Sequence, residues 1–81
     1  MTGWVDVLVP PLGEGQASVI LVGWIPEEKG AVVAGEPLFE VETDKVVFEV
    51  EAEVSGTLAE VLVAAGEPVA PGAVVGRIRV G

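Results

Sequence analysis

Apolar and acidic residues alternate on both sides of a short polar break at Thr43-Asp44-Lys45. Before the break, Phe39 and Val41 alternate with Glu40 and Glu42. After it, Val46, Phe48 and Val50 stand against Glu49 and Glu51. A period of two is the pattern of half-buried strands, and short polar residues suit a tight turn. The segment therefore predicts a β-hairpin with Lys45 at or beside its tip. Further strands are expected over Trp4–Val9, Ala17–Ile25 (broken by Gly23), Ala31–Val33, Thr57–Val63, Val69 and Val74–Val80. Pro10-Pro11 ends the first of these, because proline cannot donate to a ladder. Glycine- and proline-rich turns separate the rest, and Leu58, Val61 and Val63 are available for a core.

The chain repeats itself. Gly30-Ala31-Val32-Val33-Ala34-Gly35 resembles Gly66-Glu67-Pro68-Val69-Ala70-Pro71-Gly72, and each is flanked by an apolar strand before and an alternating strand after. The offset reads as 36 at Gly30/Gly66 and 37 at Gly35/Gly72, which places one insertion between the copies. Two half-units of short strands, roughly 4–43 and 46–81, predict an all-β sandwich with pseudo-two-fold symmetry in which each half covers the other's apolar face. The whole of 1–81 then forms a single domain. The Lys45 hairpin lies between the halves, and the chain ends should occupy adjacent strands away from it.

Composition supports this and restricts the chemistry. Eighteen of 81 residues are valine, which favours strands because its branched side chain packs well on a pleated surface. Eleven glycines and six prolines leave no uninterrupted segment of helical length. No apolar run or basic lead marks a membrane span or a targeting segment. Cysteine, histidine and tyrosine are absent, so disulfides, thiolate chemistry, the usual general base and a nucleophilic triad are all excluded. No catalytic residue and no metal site is expected. Thirteen acids against four bases give a net charge of −9, which disfavours nucleic acid and favours basic patches on partner proteins.

Glu42-Thr43-Asp44-Lys45-Val46, followed by Glu49-Val50 and Val54-Ser55-Gly56, resembles the lipoyl domain of 2-oxo acid dehydrogenase complexes. Pro10-Pro11-Leu12-Gly13-Glu14-Gly15 is similar to that family's first loop. Gly35-Glu36-Pro37-Leu38, Gly66-Glu67-Pro68-Val69 and Gly72-Ala73-Val74 are similar to its repeated turns. The resemblance covers nearly the whole chain. It implies a flattened barrel-sandwich of two small antiparallel sheets, with lipoic acid attached through an amide to Lys45. It implies that Asp44 and Val46 flank the lysine for recognition by a lipoate ligase or lipoyl transferase. Gly13, Glu14 and Gly15, with Glu42 and Thr43, would take part in partner recognition. The implied partners are a thiamine diphosphate-dependent 2-oxo acid decarboxylating component, an acyltransferase core in the parent chain and dihydrolipoamide dehydrogenase. The implied setting is a bacterial cytoplasm, or the mitochondrial matrix in a eukaryote. The family's usual linker, binding domain and catalytic core do not follow Gly81, so the chain reads as one domain of a longer protein, monomeric in isolation, with no membrane contact.

Each feature also has a plainer reading. A lysine in a polar turn is commonly a solvated charge. The acids Glu40, Glu42, Glu49, Glu51 and Glu53 read as one solvated sheet face rather than a cation site. Trp4 and Trp24 read as core or rim packing. Among carriers, a biotinyl domain would place methionine on both sides of its lysine, where this chain has Asp44 and Val46. The lipoate carrier of glycine cleavage is longer and partly helical. An unmodified structural barrel-sandwich module would leave Lys45 free.

Overall fold

The computed structural model describes residues 3–11 and 19–81. Eight strands run β1 (Gly3–Leu8), β2 (Val19–Trp24), β3 (Ala31–Val32), β4 (Pro37–Glu42), β5 (Val47–Glu51), β6 (Gly56–Val61), β7 (Pro68–Val69) and β8 (Val74–Val80). They form two four-stranded antiparallel sheets, one in the order β1-β8-β6-β3 and the other β5-β4-β2-β7. No helix occurs among the described residues. The expected all-β sandwich of two small antiparallel sheets is the architecture found, and the molecule measures 40 × 21 × 19 Å.

The alternation that predicted the strands decides which side chains enter the space between the sheets. Phe39 and Val41 of β4 are fully buried. Leu21, Leu38, Leu58, Val75 and Ile78 join them in one apolar cluster, and Trp24 covers its rim with its ring centroid 5.2 Å from that of Phe39. The indole Nε1–H donates to the Val63 carbonyl at 3.0 Å, which satisfies the polar end of a largely apolar ring. Leu58 is core as expected, whereas Val61 and Val63 pack against it from the margin. Trp4 is exposed on the opposite sheet.

The pseudo-two-fold relation is written in the hydrogen bonds. Leu21 N–H donates to Glu67 O and Gly66 N–H to Leu21 O. In the other half Leu58 N–H donates to Gly30 O and Lys29 N–H to Leu58 O. These are the same bonds displaced by 37 positions, since residue 21 matches 58, 29 matches 66 and 30 matches 67. Gly35 and Gly72 share φ +87°, and Lys29 (φ 72°) occupies the left-handed position that Gly66 (φ 89°) fills in the second half. The repeat therefore keeps one offset from β2 to β8. The apparent shift of one at Gly30/Gly66 arose because glycine marks the left-handed position in only one copy. The true length difference precedes β2. Val9 and Ala52 make matching bonds, to Ala73 and Glu36, at an offset of 43, so the connection from β1 to β2 is about six residues longer than that from β5 to β6.

Close approach between neighbouring strands depends on two glycines, Gly56 and Gly76. A Cβ on Gly56 would collide with the Arg79 carbonyl, and one on Gly76 would lie 2.8 Å from both Glu60 O and Trp24 Cη2. At Gly23 the same atom would meet nothing within 4 Å. Gly56→Ala and Gly76→Ala should each lower the unfolding free energy by about 1–3 kcal/mol through overpacking, while Gly23→Ala should change it by no more than about 0.5 kcal/mol. Urea unfolding followed by tryptophan fluorescence measures all three.

Candidate functional site

The β4–β5 hairpin has Glu42↔Val47 as its last strand pair and Asp44-Lys45 as its two tip residues. Thr43 N–H donates to the Val46 carbonyl at 2.8 Å and closes the ladder. The reciprocal bond is different. Val46 N–H donates to the Thr43 hydroxyl at 3.0 Å, and Lys45 N–H reaches the same oxygen at 3.2 Å. The hydroxyl in turn donates to the Val46 carbonyl at 3.2 Å. Two-residue hairpins usually take a left-handed tip residue, whose twist matches that of the strands. Neither Asp44 nor Lys45 has positive φ. The Thr43 side chain supplies the acceptor in place of its own carbonyl, so the tip turns without a glycine.

This arrangement differs from expectation at one residue. Val46 does not begin the second strand. It belongs to the turn, and its side chain is 56% exposed beside Lys45. Asp44 and Lys45 are exposed as well, while Thr43 is half-buried. Among the described residues the Lys45 amine has no hydrogen-bond or ion-pair partner. Lys29, by contrast, donates through Nζ to Ala59 O at 2.8 Å, and Arg77 pairs with Asp6 and Glu60 at 3.1 and 3.5 Å. The Asp6 hydrogen bond first, and then the charge of Glu60, hold the Arg77 guanidinium above its ordinary value.

The hairpin brings Glu42, Thr43, Asp44, Lys45 and Val46 together at one end of the β5-β4-β2-β7 sheet. Val19, Ile20, Glu42, Thr43 and Asp44 line an open concavity of about 380 Å³ beside it. A larger, mostly apolar cavity of about 500 Å³ lies between the two sheets at β1 and β5 and involves no tip residue. Gly13, Glu14 and Gly15 fall outside the described residues. Glu40, Glu42, Glu49 and Glu51 are on β4 and β5, but Glu53 lies beyond the end of β5. No group of three or more metal-ligating side chains is present among the described residues. The role of the Thr43 hydroxyl was missed from sequence. The available signal was a threonine two residues before the tip lysine with no glycine in the turn.

The chain ends complete the geometry. Gly3 pairs with Val80 across β1 and β8, in the sheet that does not carry Lys45. The β8–β1 pair is the two-fold image of the β4–β5 hairpin, with Arg79↔Trp4 corresponding to Glu42↔Val47.

Residues 5–78 match the family described as "Biotin-requiring enzyme", the biotin/lipoyl attachment family. The chain is 44% identical over 77 residues to the dihydrolipoyllysine-residue succinyltransferase component of the 2-oxoglutarate dehydrogenase complex of Escherichia coli K12, covering 95% of this chain and 19% of that protein. It is 40% identical over 73 residues to the dihydrolipoyllysine-residue acetyltransferase component of the pyruvate dehydrogenase complex of Corynebacterium glutamicum, covering 90% of this chain and 11% of that one. In structure it is similar to the lipoyl domain of the 2-oxoglutarate dehydrogenase complex of Azotobacter vinelandii, with TM-score 0.75, 34% identity, and coverage of 91% of this chain and 94% of that domain. The chain belongs to the biotin/lipoyl family and is a carrier domain of its lipoyl type. It spans about a fifth or less of the length of these two acyltransferase components.

Removing the hydroxyl tests the turn. Thr43→Ala should cost about 0.5–1.5 kcal/mol of stability and speed amide exchange at Lys45 and Val46, whereas Thr43→Ser should retain slow exchange at both. Hydrogen exchange followed by NMR distinguishes these outcomes.

Proposed function

We propose that Lys45 is the attachment point of the lipoyl group, and that the domain carries acyl groups between the active sites of a 2-oxo acid dehydrogenase complex. The observation that carries this is the free Lys45 amine at the tip of a hairpin braced by Thr43. The site fits the group. The amine is exposed and unpartnered among the described residues, the tip is free of backbone strain, and the chain has no thiol of its own to supply the chemistry.

The chain's own residues do three things. Thr43 fixes the backbone of the tip, so the arm leaves the domain from a defined point. Asp44 and Val46 flank the lysine and present a small acidic and apolar contact to the enzyme that modifies it. Lys45 provides the nitrogen. A free carboxylic acid does not condense with an amine in water unaided. Attachment therefore needs a ligase or transferase that offers an activated lipoyl carbonyl. The Nζ–carbon bond forms as the activating group leaves, and the ammonium nitrogen gives up two of its three protons, keeping one as the amide N–H. The domain loses one positive charge in the process. When bound, lipoate supplies a dithiolane that takes up an acyl group and two electrons, to be relieved by the acyltransferase core and by dihydrolipoamide dehydrogenase. Because the domain is tethered to the rest of the complex, docking raises the effective concentration of the arm at each site.

Expression with a lipoate ligase and lipoic acid should give one lipoyl adduct by intact mass. The adduct should be absent in Lys45→Arg and Lys45→Ala, with both variants folded. A biotin adduct, or an unmodified folded wild type, overturns this reading.

A further inference from the structure

The pseudo-two-fold relation makes the chain-end corner a control for the Lys45 corner. Side chains that carry nitrogen at the first have images that carry none at the second. Lys29, Arg77 and Arg79 correspond to Gly66, Glu40 and Glu42, and the hydroxyl of Thr57 corresponds to the alkyl side chain of Ile20. The pairings place each set. Thr57 faces Arg79, which faces Trp4 beside the chain ends, and the Lys29 turn is bonded to the adjoining Leu58. Ile20 faces Glu42, which faces Val47 at the hairpin, and the Gly66 turn is bonded to the adjoining Leu21. Glu40 stands opposite Glu49, and no ion pair among the described residues relieves either.

Lys29 is also held. Its amine donates to the Ala59 carbonyl at 2.8 Å, and it does so from a left-handed backbone (φ 72°) that glycine occupies in the other copy. Left-handed φ is disfavoured for a residue with a Cβ, so the bond offsets local strain. Around Lys45 the described side chains are Ile20, Glu42, Asp44, Val46 and Val47, which offer only carboxylates and alkyl groups. The one hydroxyl there, that of Thr43, donates to the Val46 carbonyl while accepting from two N–H groups. Lysine occurs nowhere else in the 81 residues, and cysteine not at all.

From this we infer that the Lys45 end of the domain is kept clear of groups able to take an acyl group from the arm, so that the loaded domain does not acylate itself. The inference rests on the carrier reading of Lys45. An acyl group held as a thioester is open to any neutral amine in reach. The amine nitrogen would bond to the acyl carbon, the carbon–sulfur bond would break, and the sulfur would leave as a thiol with the proton given up by the nitrogen. No oxidant or reductant takes part, and the amide left on the protein does not return its acyl group to the arm. A tethered arm meets its own domain at high effective concentration, so even a slow reaction counts. A carboxylate in reach leaves no lasting product, because the anhydride it would form reopens in water. A guanidinium stays protonated and offers no lone pair. Carboxylates near the arm, arginines away from it and one bonded lysine together meet this constraint.

The test sets Glu42→Lys against Glu42→Arg, which change the charge alike and differ in nucleophilicity. Ile20→Lys supplies a second amine near the arm, and Arg79→Lys, the image of position 42 at the other corner, is the distance control. Wild type and variants are lipoylated, then charged by the thiamine diphosphate-dependent decarboxylating component of the same complex with its 2-oxo acid, in amounts that bring each to its full thioester mass. After incubation, hydroxylamine removes thioesters and leaves amides, and intact mass with peptide mapping locates what remains. Glu42→Lys and Ile20→Lys should each keep one acyl group at the substituted position, at a rate unchanged by dilution and at least about tenfold above any in Arg79→Lys. Wild type and Glu42→Arg should return to the uncharged mass, with Lys29 unmodified. A hydroxylamine-stable acyl group on wild type, equal rates in Arg79→Lys and Glu42→Lys, or no amide in either near variant would overturn the inference while leaving the carrier reading intact. Wild type that never reaches a thioester mass would instead overturn the carrier reading.

Discussion

The fold depends on an exchange between its halves. Each sheet has two strands from each half, and the order β1-β8-β6-β3 puts two first-half strands on the outside of two second-half strands. Neither half can bury its apolar face alone. The reciprocal bonds of Leu21 with Gly66 and Glu67, and of Leu58 with Lys29 and Gly30, bind each half's central strand to the other half's turn. Leu21 and Leu58 are also fully buried, so the residues that carry these bonds anchor the core as well. A chain of 81 residues buries only on the order of 60–65% of its unfolded surface, which leaves little margin, and interlocking distributes that core over both sheets.

With the sandwich held in this way, its ends can be specialised. The β4–β5 tip bears no load from the core, and its conformation is set locally by one hydroxyl. Lys29 shows how the same scaffold treats a lysine structurally. It takes a left-handed backbone, and its amine is engaged by the Ala59 carbonyl. Lys45 has an ordinary backbone, and its amine has no partner among the described residues. The difference between the structural lysine and the one proposed for attachment lies in what surrounds the nitrogen.

Much of this was legible in the sequence, for identifiable reasons. Phe39 and Val41 alternating with Glu40 and Glu42 fixed the inward face of β4, because the side-chain period of a strand is two. The absence of histidine and cysteine left the chain without the usual general base and without a thiol, which is visible without reference to any structure. The repeat was visible through Gly35 and Gly72, where left-handed φ requires glycine in both copies. It was misaligned by one at Gly30, because Lys29 tolerates the same φ and composition does not reveal backbone angle. Val46 was assigned to a strand because valine is a strand residue, yet the Thr43 side chain captures its N–H. The opposition of Glu40 and Glu49 depends on register across a hairpin, and no single segment displays it.

The pairing of Gly3 with Val80 has a topological consequence. Because the β8–β1 pair is the image of the β4–β5 hairpin, the chain is a ring of strands with two equivalent corners, closed by a turn at Lys45 and open at the other. Linking residues 3 and 80 through a short turn and cutting elsewhere would preserve every strand neighbour. In that ring the Lys45 corner and the open corner become interchangeable in backbone terms. What distinguishes them is the four residues from Thr43 to Val46, a motif compact enough to be transplanted to the opposite corner of the same molecule.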